Sequence, residues 1–447
     1  MAEPSNPSPV ARLFKSVAAV EPVELRPALL SFVCFFFLFF SYAVVKPVRD
    51  AMSTVWGAKA LPELFLVTFL LSIIVSPLYA TLSARVRLSA FLPWVYGIVA
   101  VSVLGFAVLF SGSGGHERLL AAGFYVWVST FNLVILSAFW SFMADLFSRE
   151  QSKRLFGFIA AGGTAGTILG PAIVDFLAKR VGNDGLMLIS ACGFALTAAL
   201  VMLLAGEKKR LLAESPDAQR TTLDHRLGRN PFEGFALLFR SRYLLLIALF
   251  IFVMTSVSTV VYVQLVDIIG HSFKNHAART QAFATIDLAT NSLTVLIQLL
   301  GTGRLIKRFG VTSGLMLNPF IMALAFVLVI FSPVLLVLGG VQVMRRVAEY
   351  AVAKPAREML FTVVDQESKY KAKNVIDTVV YRGGDLLAAS AASGVLAYGL
   401  SGLAVLGVVV SAIWFPIAYA LGRRFESVRG AEIVNQAAGR PAAAGAK

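Results

Sequence analysis

Lys46, Arg49 and Asp50 stand at i, i+3 and i+4 in an otherwise apolar stretch, which puts two cations and a carboxylate on one face of a helical turn. Comparable polar groups recur along the chain: Asn132; Gln264 and Asp267; Asp287, Asn291 and Gln298; Arg345, Arg346 and Glu349; Asp377, Arg382 and Asp385. None of them forms a nucleophile–base constellation, and no His or Cys spacing matches a metal centre, so the chemistry on offer is binding rather than bond-making. Cations at such a site favour an anion, and the planar fork of arginine suits phosphate or carboxylate. The set holds five basic and six acidic groups, so charge counting alone leaves the sign of the cargo open. Internal salt bridging is the plainer alternative, because Lys46–Asp50, Arg345–Glu349 and Arg382–Asp385 have helix-neighbour spacing.

The elements that position these groups follow from composition. Of 447 residues, 57% are hydrophobic and 15% charged, and the mean hydropathy is +0.77. Soluble chains carry roughly 25% charged residues, so this balance belongs to the membrane class. Apolar stretches recur from Leu25 to Gly422, each long enough to cross a hydrocarbon core of about 30 Å. Their continuous Leu/Phe/Ala/Val character, without ten-residue alternation, favours helices over a barrel. The formal charge of +15 could serve nucleic acid, but the positive residues sit between apolar segments and are better explained by membrane orientation. Cys34 and Cys192 fall inside apolar segments and His116, His225, His271 and His276 between them, so neither a disulfide framework, a metal nor a cofactor is expected.

We expect an all-α membrane protein of about twelve spans, near residues 27–45, 61–82, 88–111, 119–143, 156–178, 184–205, 243–268, 280–302, 311–331, 333–353, 375–399 and 401–422. The polar, Pro/Ser-rich start shows no cleavable signal and reads as a cytoplasmic tail, 1–26. Two six-helix halves, 27–205 and 243–422, flank a basic cytoplasmic loop, 206–242, and a second cytoplasmic tail covers 423–447. With the N-terminus inside, most of the 40 Lys and Arg fall on the inner side, which places both termini in the cytoplasm of a multi-pass inner-membrane protein. Six plus six helices about a basic loop resemble the major facilitator architecture. Gly301-Thr-Gly-Arg304-Leu-Ile-Lys307-Arg308-Phe-Gly310 is similar to that superfamily's basic, Gly-rich loop, whereas Ser83-Ala-Arg85-Val-Arg87 keeps the charge without the glycines. Gly157, Gly166, Gly170 and Pro171 reproduce most of a facilitator-antiporter pattern. Gly162, Gly166 and Gly170 also have the spacing of close helix packing. In this architecture spans one, four, seven and ten line a central cavity, with two, five, eight and eleven beside them. The polar groups fall almost wholly on those spans, as a hydrated path demands when each costs roughly 2.5–3.5 kcal/mol in lipid.

A closer resemblance lies in Tyr42-Ala-Val-Val-Lys46-Pro-Val-Arg49-Asp50, which resembles Tyr-Thr-x-Leu-Arg-Asp-Thr-Lys-Asp of the ATP/ADP translocase family of plastids and obligate intracellular bacteria. Phe139-Trp140-Ser-Phe-Met-Ala-Asp145 and Lys153-Arg154-Leu-Phe156-Gly157 are similar to its Phe-Trp-x-Phe and Ala-Lys-Arg-Phe-Tyr-Gly. The stretch Lys354-Pro-Ala-Arg357-Glu358-Met359, with Asp365-Gln-Glu367-Ser-Lys369-Tyr-Lys371-Ala-Lys373-Asn-Val-Ile376-Asp377, resembles Thr-Lys-Glu-Met and Glu-x-Lys-x-Lys-Gly-Lys-x-x-Ile-Asp. Arg382-Gly383-Gly384-Asp385 parallels a further segment without its lysine. Pro47, Arg357 and Ala372 depart from the family pattern. The resemblance implies a divergent bacterial member that exchanges nucleotides, with basic residues on the polyphosphate and no covalent chemistry.

The expected function is secondary-active antiport of ATP/ADP-like nucleotides or another phosphorylated anion by alternating access. Lys46, Arg49, Asn132, Arg345, Arg346 and Arg382 are the expected substrate contacts. Asp50, Asp287, Asn291, Glu349, Lys354, Arg357, Glu358, Asp377 and Asp385 are the expected gating or coupling groups, those of 354–373 also serving as an intake funnel. Positive-inside topology or anionic-lipid attraction offers another account of that basic loop. Two further readings stand beside antiport: a proton-coupled exporter, with membrane carboxylates carrying the proton, and a non-transporting receptor or scaffold. An enzyme is not expected. The expected partners are a small anion and the bilayer, not nucleic acid, and the chain is compatible with a monomer.

Overall fold

Leu25 to Trp56 form one unbroken helix, α1, 32 residues long and about 48 Å from end to end at roughly 1.5 Å per residue. It runs beyond the expected boundary near residue 45, so Lys46, Arg49 and Asp50 lie within it and not at its end. The chain continues through the helices α2 (Leu61–Arg85), α3 (Leu88–Ser111), α4 (Glu117–Leu146), α5 (Arg149–Glu214), α6 (Glu233–Arg240), α7 (Arg242–Ser272), α8 (His276–Leu300) and α9 (Thr302–Phe331). It ends with α10 (Leu335–Ala348), α11 (Lys354–Leu360), α12 (Tyr381–Val395) and α13 (Gly399–Ala437). A computed structural model describes residues 24–86, 88–112, 116–214, 233–364 and 372–437. Most of the tail 1–26, the middle of the loop 206–242 with Arg220, Arg226 and Arg229, the tract Asp365–Lys371 and the end of the tail 423–447 lie outside the described residues.

Glycines set the breaks. α5 covers the fifth and sixth expected spans as one run of 66 residues, interrupted only at Gly182, where φ is +66°. Gly310 (φ +79°) kinks α9 in the same way, and Gly399 (φ +76°) stands at the head of α13. Without a Cβ these residues reach a backbone region that is costly for others. Among the described residues, nine helical stretches are long and apolar enough to cross a bilayer. Their outward faces are apolar at helical spacing: Leu66, Leu70, Ile74 and Leu78 on α2, and Trp94, Ile98, Val101 and Val108 on α3 are all exposed. In water such faces would be a liability, while in lipid they are solvated. The chain is an all-α, multi-pass membrane protein.

By residue contacts the chain divides into two compact units, each drawing on segments from both sides of the central loop. The first comprises Met1–Asp50, Ile74–His225 and His276–Leu288. In it α3 packs along α5, and α1 lies against the glycine face of α5. A Cβ on Gly166 would stand 2.5 Å from the Phe36 carbonyl oxygen and 2.8 Å from the Phe40 nitrogen, and one on Gly170 would stand 2.6 Å from the Ala43 Cβ. Gly162 abuts the Phe32 carbonyl in the same manner, whereas Gly157 has open space. The Gly162/Gly166/Gly170 spacing is therefore a backbone-to-backbone seam, the arrangement small residues permit. Because backbone atoms cannot yield, Gly166→Ala is expected to cost about 1–3 kcal/mol, with Gly157→Ala near neutral. Unfolding of the two variants in detergent checks this contrast.

The second unit comprises Ala51–Ile73, Arg226–Asn275 and Ala289–Lys447. Here α9 packs along α13, with Gly407 against the Phe326 ring and Gly422 against Thr312. Trp414 and Phe250 are fully buried with ring centroids 5.6 Å apart. α10 passes into α11 through a π-helical turn, Glu349–Ala353, and a second π turn, Ile376–Val380, leads into α12. Such one-turn distortions occur often at functional sites.

Candidate functional site

In the first unit, α1 brings the predicted cations to carboxylates. The Lys46 Nζ donates to Asp50 Oδ2 at 2.9 Å and to Asp287 Oδ2 of α8 at 2.7 Å. Arg49 forks onto Asp50 Oδ1 through Nε (3.1 Å) and Nη2 (2.5 Å). Its third nitrogen, Nη1, reaches Ser129 Oγ of α4 at 3.4 Å. The guanidinium also lies over the Tyr125 ring, 5.2 Å from the centroid. Both carboxylates are only 3% exposed, while the Lys46 and Arg49 side chains keep 22% and 14% of their surface open. Two cations therefore share two more deeply buried anions. Burial of this kind is tolerable only because each charge is matched, since an isolated ion would cost several kcal/mol. Asn132 lies half-buried one turn beyond Ser129 on α4, and Asn291 follows Asp287 by one turn on α8.

A second cluster lies in the second unit. The Arg345 Nη1 donates to Glu349 Oε2 at 2.8 Å, across the start of the π turn, and Nε donates to Gln342 Oε1 at 3.0 Å. Arg346, also buried, stands over the Tyr350 ring at 5.6 Å. On α12, Arg382 lies 3.7 Å from Asp385, whose Oδ1 accepts from the Thr259 hydroxyl of α7 at 2.8 Å. Arg345 and Glu349 are within Coulombic reach of Asp385, so these side chains form one electrostatic group. Gly384 makes that approach possible: its missing Cβ would meet the Phe252 carbonyl oxygen at 3.2 Å.

The remaining predicted gating residues gather around the two π turns. Lys373 pairs with Glu358 at 2.5 Å and lies 5.3 Å from the Phe361 ring centroid. Asp377 is within Coulombic reach of Arg357, Lys373, Glu358 and Lys354. The motif residue Arg154 instead ties the start of α1 to α5, its two terminal nitrogens 2.9 and 3.2 Å from the buried Glu24 carboxylate. The three salt bridges foreseen from helix spacing are present. Lys46, however, also takes a partner 241 residues away.

Sequence reasoning missed Tyr125, Ser129, Thr259 and Gln342. Ser129 and Tyr125 stand three and seven residues before Asn132, on the same side of α4. Neutral hydroxyls are common in membrane helices, where they bond to the preceding turn, as Ser129 does to Tyr125 O at 2.7 Å. Nothing in their type or spacing marks them.

Comparison with known proteins bears on what these clusters do. Residues 129–352 match the family profile of the Major Facilitator Superfamily. ADP,ATP carrier protein 1 of Chlamydia muridarum (strain MoPn / Nigg) is 26% identical over 430 residues, covering 81% of this chain and 80% of that protein. ADP,ATP carrier protein 1 of Chlamydia pneumoniae is 24% identical over 491 residues, covering 93% and 95%. Among solved structures, a bacterial homologue of the iron transporter ferroportin in an inward-facing state matches with a TM-score of 0.61 and 13% identity, over 88% of this chain and 99% of that one. A bacterial homologue of the human lysosomal transporter Spinster matches with a TM-score of 0.56 and 16% identity, over 91% and 98%. At these identities the structural likeness establishes the fold alone.

Proposed function

This chain belongs to the Major Facilitator Superfamily and is a secondary-active transporter of small molecules in a bacterial inner membrane, not an enzyme; on that premise we propose that it exchanges nucleotides, ATP- and ADP-like, or another phosphorylated organic anion. The observation that carries the proposal is the pair of cation clusters held by buried carboxylates, Lys46 and Arg49 on the membrane-length helix α1 and Arg345, Arg346 and Arg382 in the second unit. Lys46 and Arg49 hold positions similar to the basic residues of the ATP/ADP translocase family, and Arg345, Arg346 and Arg382 add three cations in the second unit. Lipid penalises each such charge by roughly 2.5–3.5 kcal/mol, and salt bridging alone needs no arginine fork that keeps part of its surface open. A phosphate can replace a carboxylate on the same donors, because both accept the same paired N–H geometry.

The mechanism follows from that exchange of partners. Within the first unit an incoming anion competes with Asp50 and Asp287 for Lys46 and Arg49; within the second, Arg345 is held by Glu349 in the same kind of pair. Departure of the anion restores the internal pairs, so the carboxylates act as substitutes that keep the cations neutralised between cargoes. Lys354, Arg357, Glu358, Lys373 and Asp377 form the charged gate, and the π turns beside it give α11 and α12 a place to bend. We read the topology as twelve spans in two six-helix halves with both termini cytoplasmic. Parting the two longest stretches at Gly182 and Gly399 raises nine to eleven, and the run through α10 and α11 supplies the twelfth.

Proteoliposomes loaded with ADP test the proposal. External labelled ATP is expected to enter them at least about tenfold faster than empty vesicles. Equal uptake into loaded and empty vesicles would rule out obligatory exchange. Uptake that instead follows an imposed pH gradient would favour the proton-coupled reading.

A further inference from the structure

α8 begins with a segment that belongs to the first unit, His276–Leu288. On it Ala277, Thr280, Phe283, Ala284 and Asp287 are buried, and their spacing of i, i+3, i+6, i+7 and i+10 puts them on one face. Phe283 is the one large apolar side chain among them. The bonds that hold the segment are polar. Thr280 Oγ1 donates to Asn183 Oδ1 of α5 at 2.8 Å, Gln281 Nε2 to the Asp175 carbonyl oxygen at 2.9 Å, and Thr285 Oγ1 to Asp175 Oδ1 at 2.6 Å. At the front of the segment, His276 Nε2 lies 3.1 Å from Glu117 Oε1 of α4. The Lys46–Asp287 pair closes the row at its other end.

α5 is shaped to offer these acceptors. Gly182 breaks the helix, so Asn183 follows the turn directly, and Ser111 of α3 holds the next residue, Asp184, at 3.3 Å. Asp175 stands about two turns before the break and is a carboxylate that the two cation clusters leave unused. The row differs from the seam between α1 and α5, where small residues meet backbone and nothing can yield. Hydroxyls and amides let go at small cost, because water replaces each bond. Thr285 keeps a partner even then, since its hydroxyl also reaches the Gln281 carbonyl oxygen of its own helix at 3.0 Å. Asp287 lacks that freedom. It is 3% exposed, and turning away from Lys46 in place would give up a shared cation while the carboxylate stayed buried, the costly way to break an ion pair. Moving out with the helix that carries it avoids that cost, and Lys46 keeps Asp50 at 2.9 Å meanwhile.

We propose that Asp175 and Asn183 are positioning residues for the anion site: by docking the first turns of α8 they set how firmly Asp287 holds Lys46, and an anion wins Lys46 only as that segment undocks. The inference rests on the anion reading of the Lys46/Arg49 cluster and adds to it the element that moves. Neither residue touches the cargo. Weakening the row therefore strengthens anion binding, the reverse of what damage to a binding site does.

Calorimetric titration of the full-length protein in detergent with ATP and with tripolyphosphate, at matched ionic strength, tests it. Asp175→Ala/Asn183→Ala is expected to bind both ligands about fivefold tighter than the intact protein, the scale of losing one or two hydrogen bonds between docked elements. Asp287→Ala removes the competitor itself, so in that background the same two substitutions should change affinity less than about twofold. A gain due only to the lost negative charge of Asp175 would persist without Asp287. Where Asp175→Ala/Asn183→Ala fails to fold, Thr285→Val, at an exposed position and without change of charge, removes one bond of the row and should give a smaller gain of the same sign. Unchanged or weaker binding in a folded variant, or an equal gain with and without Asp287, overturns the inference and leaves the anion reading standing. If neither ligand binds the intact protein, the anion reading falls and the inference falls with it.

Discussion

Arg49→Gln is expected to lower nucleotide exchange roughly a hundredfold, the scale of removing one member of a buried, hydrogen-bonded charge pair, while the protein still folds and inserts. The guanidinium gives two bonds to Asp50, one to Ser129 and a face to Tyr125. Glutamine can replace none of the charge and only part of the donor set. Asp50 keeps Lys46 at 2.9 Å, so the loss to stability is expected to stay near 1–3 kcal/mol. Arg49→Lys separates charge from geometry. It restores the charge without the fork, and recovery to about a tenth of normal exchange is expected. Transport by Arg49→Gln at the normal rate would remove Arg49 from the site.

Lys46 carries the largest expected effect on stability. Its ammonium is shared by two carboxylates that are each 3% exposed. Lys46→Ala leaves both in place without that shared cation, and breaking a buried pair from one side typically costs about 3–5 kcal/mol. Removing Asp287 at the same time relieves the excess negative charge. Lys46→Ala/Asp287→Ala is therefore expected to be more stable than Lys46→Ala alone. Denaturant unfolding of the two single variants and the double variant supplies the coupling energy. Costs that add within about 0.5 kcal/mol would show that the 2.7 Å contact is energetically idle.

These effects divide cleanly into what the sequence discloses and what it hides. Lys46–Asp50, Arg345–Glu349 and Arg382–Asp385 are readable because helix geometry fixes which residues are neighbours. The Gly162/Gly166/Gly170 seam is readable for the same reason, and its role in packing α5 on α1 follows from the missing side chains. Asp287 as a partner of Lys46 is not readable, because no local rule joins groups 241 residues apart. The expected end of α1 near residue 45 falls short of Trp56, because charges near the end of an apolar run usually mark the membrane surface. Here they are neutralised within the helix, which continues to Trp56. Ser129, Tyr125 and Thr259 escape notice because hydroxyls are cheap in membrane helices. Both π turns escape too, as an inserted residue in a helix leaves no compositional trace. The membrane class, by contrast, rests on 57% hydrophobic residues spread over long runs, a signal that no single substitution erases.

On the proposed function, cations that trade internal carboxylates for a cargo's phosphates must respond to charge on the ligand before anything else. The direct measurement is thermal unfolding of the purified protein with ATP and with adenosine at equal concentration, beside the same pair for Arg49→Gln. ATP should raise the unfolding temperature by mass action, adenosine should raise it far less, and Arg49→Gln should lose the ATP response. Equal stabilisation by adenosine, or an ATP response that survives in Arg49→Gln, would contradict the account.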